Sequence, residues 1–213
     1  MEGFTGINIE SAHSQIEVFA EMGSSASLEL TNAIDSFFDD LSTKWASPKA
    51  VEFSGMYRVS LCDLRDELNI TLKHKIHGCN DAAASLANAN GATWTNVDNP
   101  FENYAGGVFV GTPLKEEIDG VVGMAVDNVK VIRDIFKTQM EKVTGILSEI
   151  PKTIDFYSPD GSLVTTYATG IESINSKMSE LISSTLTSIN TAIDEESDNV
   201  LLAKQNASDT LAA

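Results

Sequence analysis

The stretch TKWASPKAVEF, Thr43–Phe53, decides how the chain is read. Ser47 followed by Pro48 is a helix N-cap followed by a residue suited to the first helical position, where the N–H that proline lacks has no partner anyway. Trp45 stands just before that start. On its N-terminal side Ile9, Ala12, Ile16, Phe19, Ala26, Leu30, Ala33, Phe37 and Leu41 fall largely three or four residues apart. On its C-terminal side Phe53, Tyr57, Leu61, Leu64, Leu68, Leu72, Ile76, Cys79 and Ala83 do the same. That period marks one apolar face of an α-helix. The stretch therefore reads as a turn between two long helices, the second over roughly residues 48–86 and stopped by Asn90-Gly91.

About 110 residues later IDFYSPDGSLV repeats the pattern of an aromatic, a Ser-Pro and a helix start. Before it run Ile118, Val122, Ala125, Val129, Ile132, Phe136, Met140, Val143 and Leu147; after it run Leu163, Tyr167, Ile171, Ile174, Met178, Ile182, Leu186, Ile189 and Ile193. Thr112-Pro113 and Ser158-Pro159 read as helix starts, Pro151 as a stop, and the last helix as roughly residues 159–203. At an offset of 110, Phe19 meets Val129, Leu30 meets Met140, Tyr57 meets Tyr167 and Leu68 meets Met178. A slip of one residue at the turn brings Trp45 onto Phe156 and Ser47-Pro48 onto Ser158-Pro159. No segment shows a two-residue alternation, and strand pairing within residues 5–85 is not expected.

The fold expected is all-α: two tandem long antiparallel helical hairpins packed as an elongated four-helix bundle, since a single hairpin leaves its apolar stripes uncovered. Residues 1–86 form the first hairpin, 87–112 a linker, 113–205 the second, and 206–213 a flexible tail. The linker carries Trp94, Phe101, Tyr104, Val108 and Phe109, too apolar for a spacer, and is expected to lie along the bundle.

Charge narrows the function classes. Fourteen Lys and Arg against 31 Asp and Glu give a net charge of −17. Phosphate binding needs clustered cations, so nucleic acid is not an expected partner, nor is an anionic membrane. No window approaches the ~20 apolar residues of a membrane span. The opening MEGFTGINIESAHSQ lacks a basic start and an apolar run, so any export is expected to use a route that reads no cleaved leader. Cys62 and Cys79, on one straight helix, would stand ~25 Å apart. A bridge needs Cα atoms within ~7 Å, so two core thiols are expected.

On these residues the first half resembles the WxG family of small type VII secretion substrates, also named the early secreted antigenic target family. The family motif is Trp-x-Gly at the turn of a hairpin of two long helices, followed by an aromatic on the second helix. Here it reads Trp45-Ala46-Ser47, with Phe53 following. The second half offers Phe156-Tyr157-Ser158. The resemblance spans residues 1–90; beyond them it is one of shape. It implies a bacterial, non-catalytic protein, made in the cytoplasm and released to the medium or cell surface. The partners it implies are the secretion machinery with its membrane ATPase and, beside it, another helical protein. The tandem chain would supply both hairpins of the family's usual dimer. The family often carries a Tyr with an acid four residues on as part of its export signal. No Tyr of this chain has one, and His77 with Asp81 is the nearest counterpart. An intracellular helical adaptor is the alternative; a pore-forming toxin would need more than the GGVFVG of residues 106–111 as its membrane-inserting segment.

Catalytic and metal chemistry are not expected. His74, His77, Cys79 and Asp81 are the densest ligand-like group, but Cys79 falls on the apolar stripe and the histidines read as solvent-facing. The acids Asp194, Glu195, Glu196 and Asp198 lack the spaced ligands and glycine of a calcium loop and read as a solvated helix face. Asp63, Asp66 and Glu67 alternate with Arg58 and Arg65 as surface pairs do. No phosphate loop and no Ser-His-Asp context appears, and no cofactor is expected. Trp45 has two readings that can coexist: a hydrophobic plug that closes the end of the hairpin, and a half-exposed recognition residue at the connection.

Overall fold

Asn8 starts the first helix, α1 (Ile9–Lys44), its carboxamide oxygen accepting from the Ser11 N–H at 3.0 Å. Lys44 closes it, a cation in the last turn where the carbonyl ends favour one. The computed structural model describes residues 6–107 and 111–212. After α1 come a two-residue strand β1 (Trp45–Ala46), a short helix α2 (Pro48–Phe53), a π-helical turn (Ser54–Arg58) and α3 (Val59–Asn88). The expected second helix is therefore present but carries one wide turn. It ends in a Schellman arrangement, the Ala92 N–H on Ala87 O and the Gly91 N–H on Asn88 O, both 3.0 Å. The later elements are β2 (Gly123–Met124), α4 (Val126–Glu149), β3 (Thr153–Tyr157), β4 (Leu163–Ala168) and α5 (Ile171–Ala212).

The chain is mostly helical but not all-α. Thr112-Pro113 starts no helix: α4 begins at Val126, and an Asp119-Gly120 turn lies ahead of it. Both turn residues have positive φ, 52° and 77°, and Ile118 and Val121 exchange backbone hydrogen bonds across them. Asp-Gly between apolar residues favours this tight turn because glycine meets no Cβ penalty at positive φ. Gly123 and Met124 then pair antiparallel with Ala46 and Trp45, a two-residue ladder inside the region where no strand was expected. Ser158-Pro159 starts no helix either. It begins the tight turn of a hairpin whose antiparallel register pairs Thr153 with Ala168 and Phe156 with Thr165. Leu163 and Tyr167, read as helical, are in β4, and the last helix starts only at Ile171. At the C-terminus α5 runs on to Ala212, and the side chains from Asp198 to Leu211 are exposed.

The chain divides into two compact units. One holds the described residues of Met1–Glu29, Leu64–Val108 and Val143–Met178; the other holds those of Leu30–Asp63, Phe109–Lys142 and Ser179–Ala213. Neither coincides with one sequence half. In the first, Ile16, Phe19, Leu68, Leu72, Ile154, Phe156 and Met178 are buried together with Cys79. Burial pushes the Cys79 thiol up to about 12, which keeps it protonated and inert. In the second, Phe37, Phe38, Trp45, Phe53 and Phe136 are buried, and Phe37 stacks on Phe136 with ring centres 4.1 Å apart. Cys62, in this second unit, is likewise buried.

The linker is docked rather than loose. In the first unit it runs back along α3: the buried Asn80 side chain exchanges two hydrogen bonds with the Val97 backbone and accepts from Trp94 Nε1 at 3.2 Å. Lys73 Nζ donates to Tyr104 O at 3.2 Å, the Tyr104 hydroxyl donates to Asp66, and the Gly107 N–H reaches Asp66 Oδ2 at 2.8 Å. Asp66 is half-buried rather than a surface ion; desolvation pushes its carboxyl up, but Tyr104, Gly107 and Arg65 outweigh it and hold it below the ordinary value. Val108 and Phe109, also expected to dock, lie outside the described residues, as do residues 108–110 of GGVFVG. In the second unit Arg58 is buried, not a surface partner. Its Nη1 donates to Thr112 O at 2.7 Å and its guanidinium lies 5.1 Å over the Phe38 ring.

Candidate functional site at the Trp45 turn

Ser47 is extended (φ −162°, ψ 163°) and its Oγ accepts from the Ala50 N–H at 3.1 Å, so the cap read from Ser-Pro forms as expected. The capped backbone fixes Trp45 one residue before the extended corner. Its surroundings enclose it: the Trp45 side chain is 0 % exposed. Its ring centre lies 5.4 Å from that of Phe53, which in turn touches Phe37, Phe38 and Tyr57. Met124 covers its backbone as the β2 partner, and the Ala125 N–H caps Lys44 O at 2.8 Å. Of the two readings of Trp45, the closed plug is the one the burial fits, and the half-exposed side chain is not. A free turn would leave the indole face to water, but β2 and the aromatic cluster remove it.

A buried indole N–H needs an acceptor. Glu196 of α5 supplies it: Trp45 Nε1 donates to its Oε1 at 2.9 Å, and Ser47 Oγ donates to the same oxygen at 2.6 Å. Next to it Lys49 pairs with Glu195, which raises the lysine above its ordinary value through that hydrogen bond. So the acid run of α5 is not merely a solvated face. Two of its members clamp the turn, and Glu196 is the residue the sequence reading missed. The only signal for it is the rule that a buried Trp finds a partner, which does not say where along the chain to look.

Outside the plug, the surface is mixed. Met56 is 55 % exposed, and a cleft of about 210 Å³ between the π-turn and α5 is lined by Lys49, Glu52, Met56, Tyr57, Ser188 and Thr191 among others. It adjoins a broad groove of about 740 Å³ along α5 edged by Tyr57 and serine and threonine side chains. These surfaces can offer hydrogen bonds and a thioether to a partner.

The second motif belongs to the other unit and is built differently. Phe156 is 0 % exposed and faces the core from β3. Tyr157 O accepts from the Asn8 N–H at 2.6 Å. Ser158 is buried, but instead of capping a helix its N–H and Oγ both donate to Ser162 O, at 2.8 and 3.1 Å, and its Oγ also bonds Asp160. Asp160, fully exposed, is held below the ordinary carboxylate range by that hydroxyl and by the Ser162 N–H. The Pro159-Asp160-Gly161 run is a turn signal with a mechanism of its own, and it overrides the helix start. His77 and Asp81 are both exposed on α3, and His77 Nε2 contacts Glu102 at 2.7 Å. Among the described residues no group of three or more His, Cys, Asp or Glu side chains is placed to hold a metal ion, and no helix is long and apolar enough to cross a membrane. Comparison with protein-family models, with curated proteins and with solved structures finds no match for this chain.

Proposed function

We propose that this chain is a non-enzymatic substrate of a type VII secretion system, a WxG-like helical protein in tandem form that works by binding other proteins. The observation that carries this reading is Trp45-Ala46-Ser47 lying between two long helices, with Ser47 capping the second. In this reading Trp45 shapes the turn from within, and Met56 and Tyr57 beside it present the recognised surface. The secretion ATPase is the partner that surface addresses. The test is the supernatant-to-cell ratio of the protein in its host with the secretion ATPase intact and inactivated, alongside Met56→Asp. Export should collapse in the first case and fall in the second without a change in melting temperature. Export that ignores the ATPase would sink the reading; export that ignores Met56→Asp alone would move recognition off this surface.

A second reading, an intracellular helical adaptor, is favoured by one feature: Val200, Leu201 and Leu202 of α5 are all more than half exposed, a start for partner-helix packing. Fractionation separates the two, since an adaptor stays with the cells in either background.

A further inference from the structure

We propose that β4 is a pairing edge for a second copy of this chain, two hairpins joining into a four-stranded antiparallel sheet. The two edges of the hairpin are treated unequally. On the outer edge of β3 the Gln15 carboxamide takes the place of a neighbouring strand: the Asp155 N–H donates to Gln15 Oε1 at 3.1 Å and Gln15 Nε2 donates to Asp155 O at 2.8 Å. Asn8 adds a third bond, to Tyr157 O. That edge is closed.

The bonds to Gln15 also orient β4. Asp155 and Thr166 are direct partners in the register. Because the N–H and C=O of Asp155 both point away from β4, this is the pair type that exchanges no hydrogen bonds, and the N–H and C=O of Thr166 point outward on the opposite edge. Two residues on, Ala168 O faces the same way and is taken by Lys75 Nζ at 3.0 Å. At Thr166 the described residues supply no backbone partner. The strand Leu-Val-Thr-Thr-Tyr-Ala has no charge and no proline, Leu163 is 57 % and Val164 41 % exposed, and Thr165 and Thr166 are exposed as well. Charges, prolines, bulges and covering elements are what ordinarily blunt such an edge; β4 has one of these, a register shift that leaves Val164 without a partner in β3, and it lies at the Leu163 end, while Thr166 stays in the regular ladder.

Charge at the strand ends selects the occupant. Asp160 sits at the Leu163 end and Lys75 at the Ala168 end. A two-fold axis near Thr166 places the Asp160 end of each copy beside the Lys75 end of the other, and it sets the outward Thr166 groups of the two copies face to face. A pairing of one six-residue strand is small, at the weak end of specific contacts below about 1,200 Å². The dimer is therefore concentration-dependent.

Light scattering on the full chain from low micromolar to near-millimolar concentration tests this, with amide exchange at Thr166 followed in parallel. The mass should rise from 22.9 kDa toward twice that value, with Thr166 exchange slowing as it does. Thr166→Pro removes the outward N–H without touching the β3 ladder, a substitution that only an edge strand tolerates. It should remain monomeric throughout. If it melts earlier than the parent, Val164→Lys, a charge at an exposed edge position, decides in its place. A parent chain that stays monomeric at the highest concentration overturns the proposal, and so does a folded variant that dimerises like the parent.

Discussion

The chain meets the same problem twice, an aromatic and a Ser-Pro between two long helices, and solves it in two ways. At the first connection only Trp45, Ala46 and Ser47 separate helical residues, and the missing cover comes from elsewhere: β2 over the backbone, Glu196 on the indole. At the second connection the chain grows its own cover, a hairpin of β3 and β4 between α4 and α5. The buried aromatic is common to both; the serine is not, since Ser47 caps a helix and Ser158 ties a hairpin turn. A repeated motif can keep its core residue while the residues around it change trade.

The largest expected effect sharpens the common part. Trp45→Ala and Phe156→Ala should each cost about 3–5 kcal/mol, the range for emptying a buried aromatic site. Denaturant melts measure both. A Trp45→Ala cost below about 1 kcal/mol, the scale of ordinary surface changes, would mean the first turn is open and the two connections differ more than the geometry says.

The next concerns only the second connection. A Cβ built on Gly78 of α3 would lie 2.1 Å from the Tyr167 hydroxyl of β4, so the hairpin leans on the helix through a glycine. Gly78→Ala should destabilise by about 1–3 kcal/mol through overpacking, against the usual gain of about 0.5–1 kcal/mol for Gly to Ala inside a helix. In a Tyr167→Ala background the cost should vanish. If it persists, the hairpin does not rest there.

Smaller still is the contrast between the serines. Ser47→Ala should cost about 1 kcal/mol as a lost N-cap, with amide exchange quickening at Ala50. Ser158→Ala should leave helix-start amides untouched, because its hydroxyl serves Asp160 and Ser162 within the turn. Equal exchange patterns in the two variants would erase the distinction.

The smallest effect is in pH, with opposite signs at the two turns. Asp160 is lowered by the Ser158 hydroxyl, so its contribution is present above the ordinary aspartate value of about 3.9 and is lost as pH falls through its lower folded value. Lys49 is raised by Glu195, so its contribution is present below about pH 10.4 and is lost as pH rises through its higher folded value. Proton resonances of the two turns across a titration should show the Asp160 contacts of the second loosening in acid and the Lys49 contact of the first loosening in alkali. Both groups are exposed, and solvent screening keeps the change local.

The four apolar stripes were legible because each long helix repeats its period many times: Ile16 to Leu41, Leu61 to Ala83, Val129 to Leu147 and Ile171 to Ile193 all lie on the helices their spacing implied. The hairpin was not, although its signals were present. Ile154 and Phe156 alternate over too few residues to outweigh a helical reading, and Leu163 and Tyr167 happen to fit a four-residue step. The Asp119-Gly120 and Pro159-Asp160-Gly161 turns carried the better information, since turn chemistry acts over two residues whereas periodicity needs many.

By itself, then, the sequence determined the long helices, the Ser47 cap and the stripe aromatics Phe19, Phe37, Phe53 and Phe136, because helical period and capping depend on neighbours within a few positions along the chain. The tertiary structure decided that Trp45 is closed, that half-buried Glu196 accepts from its indole, that Arg58 leaves solvent, and that one hairpin edge is sealed by Gln15 while the other is not. Those are meetings of residues some 50 to 150 positions apart in the chain. Burial and hydrogen bonding there depend on distance in space, which no local pattern encodes.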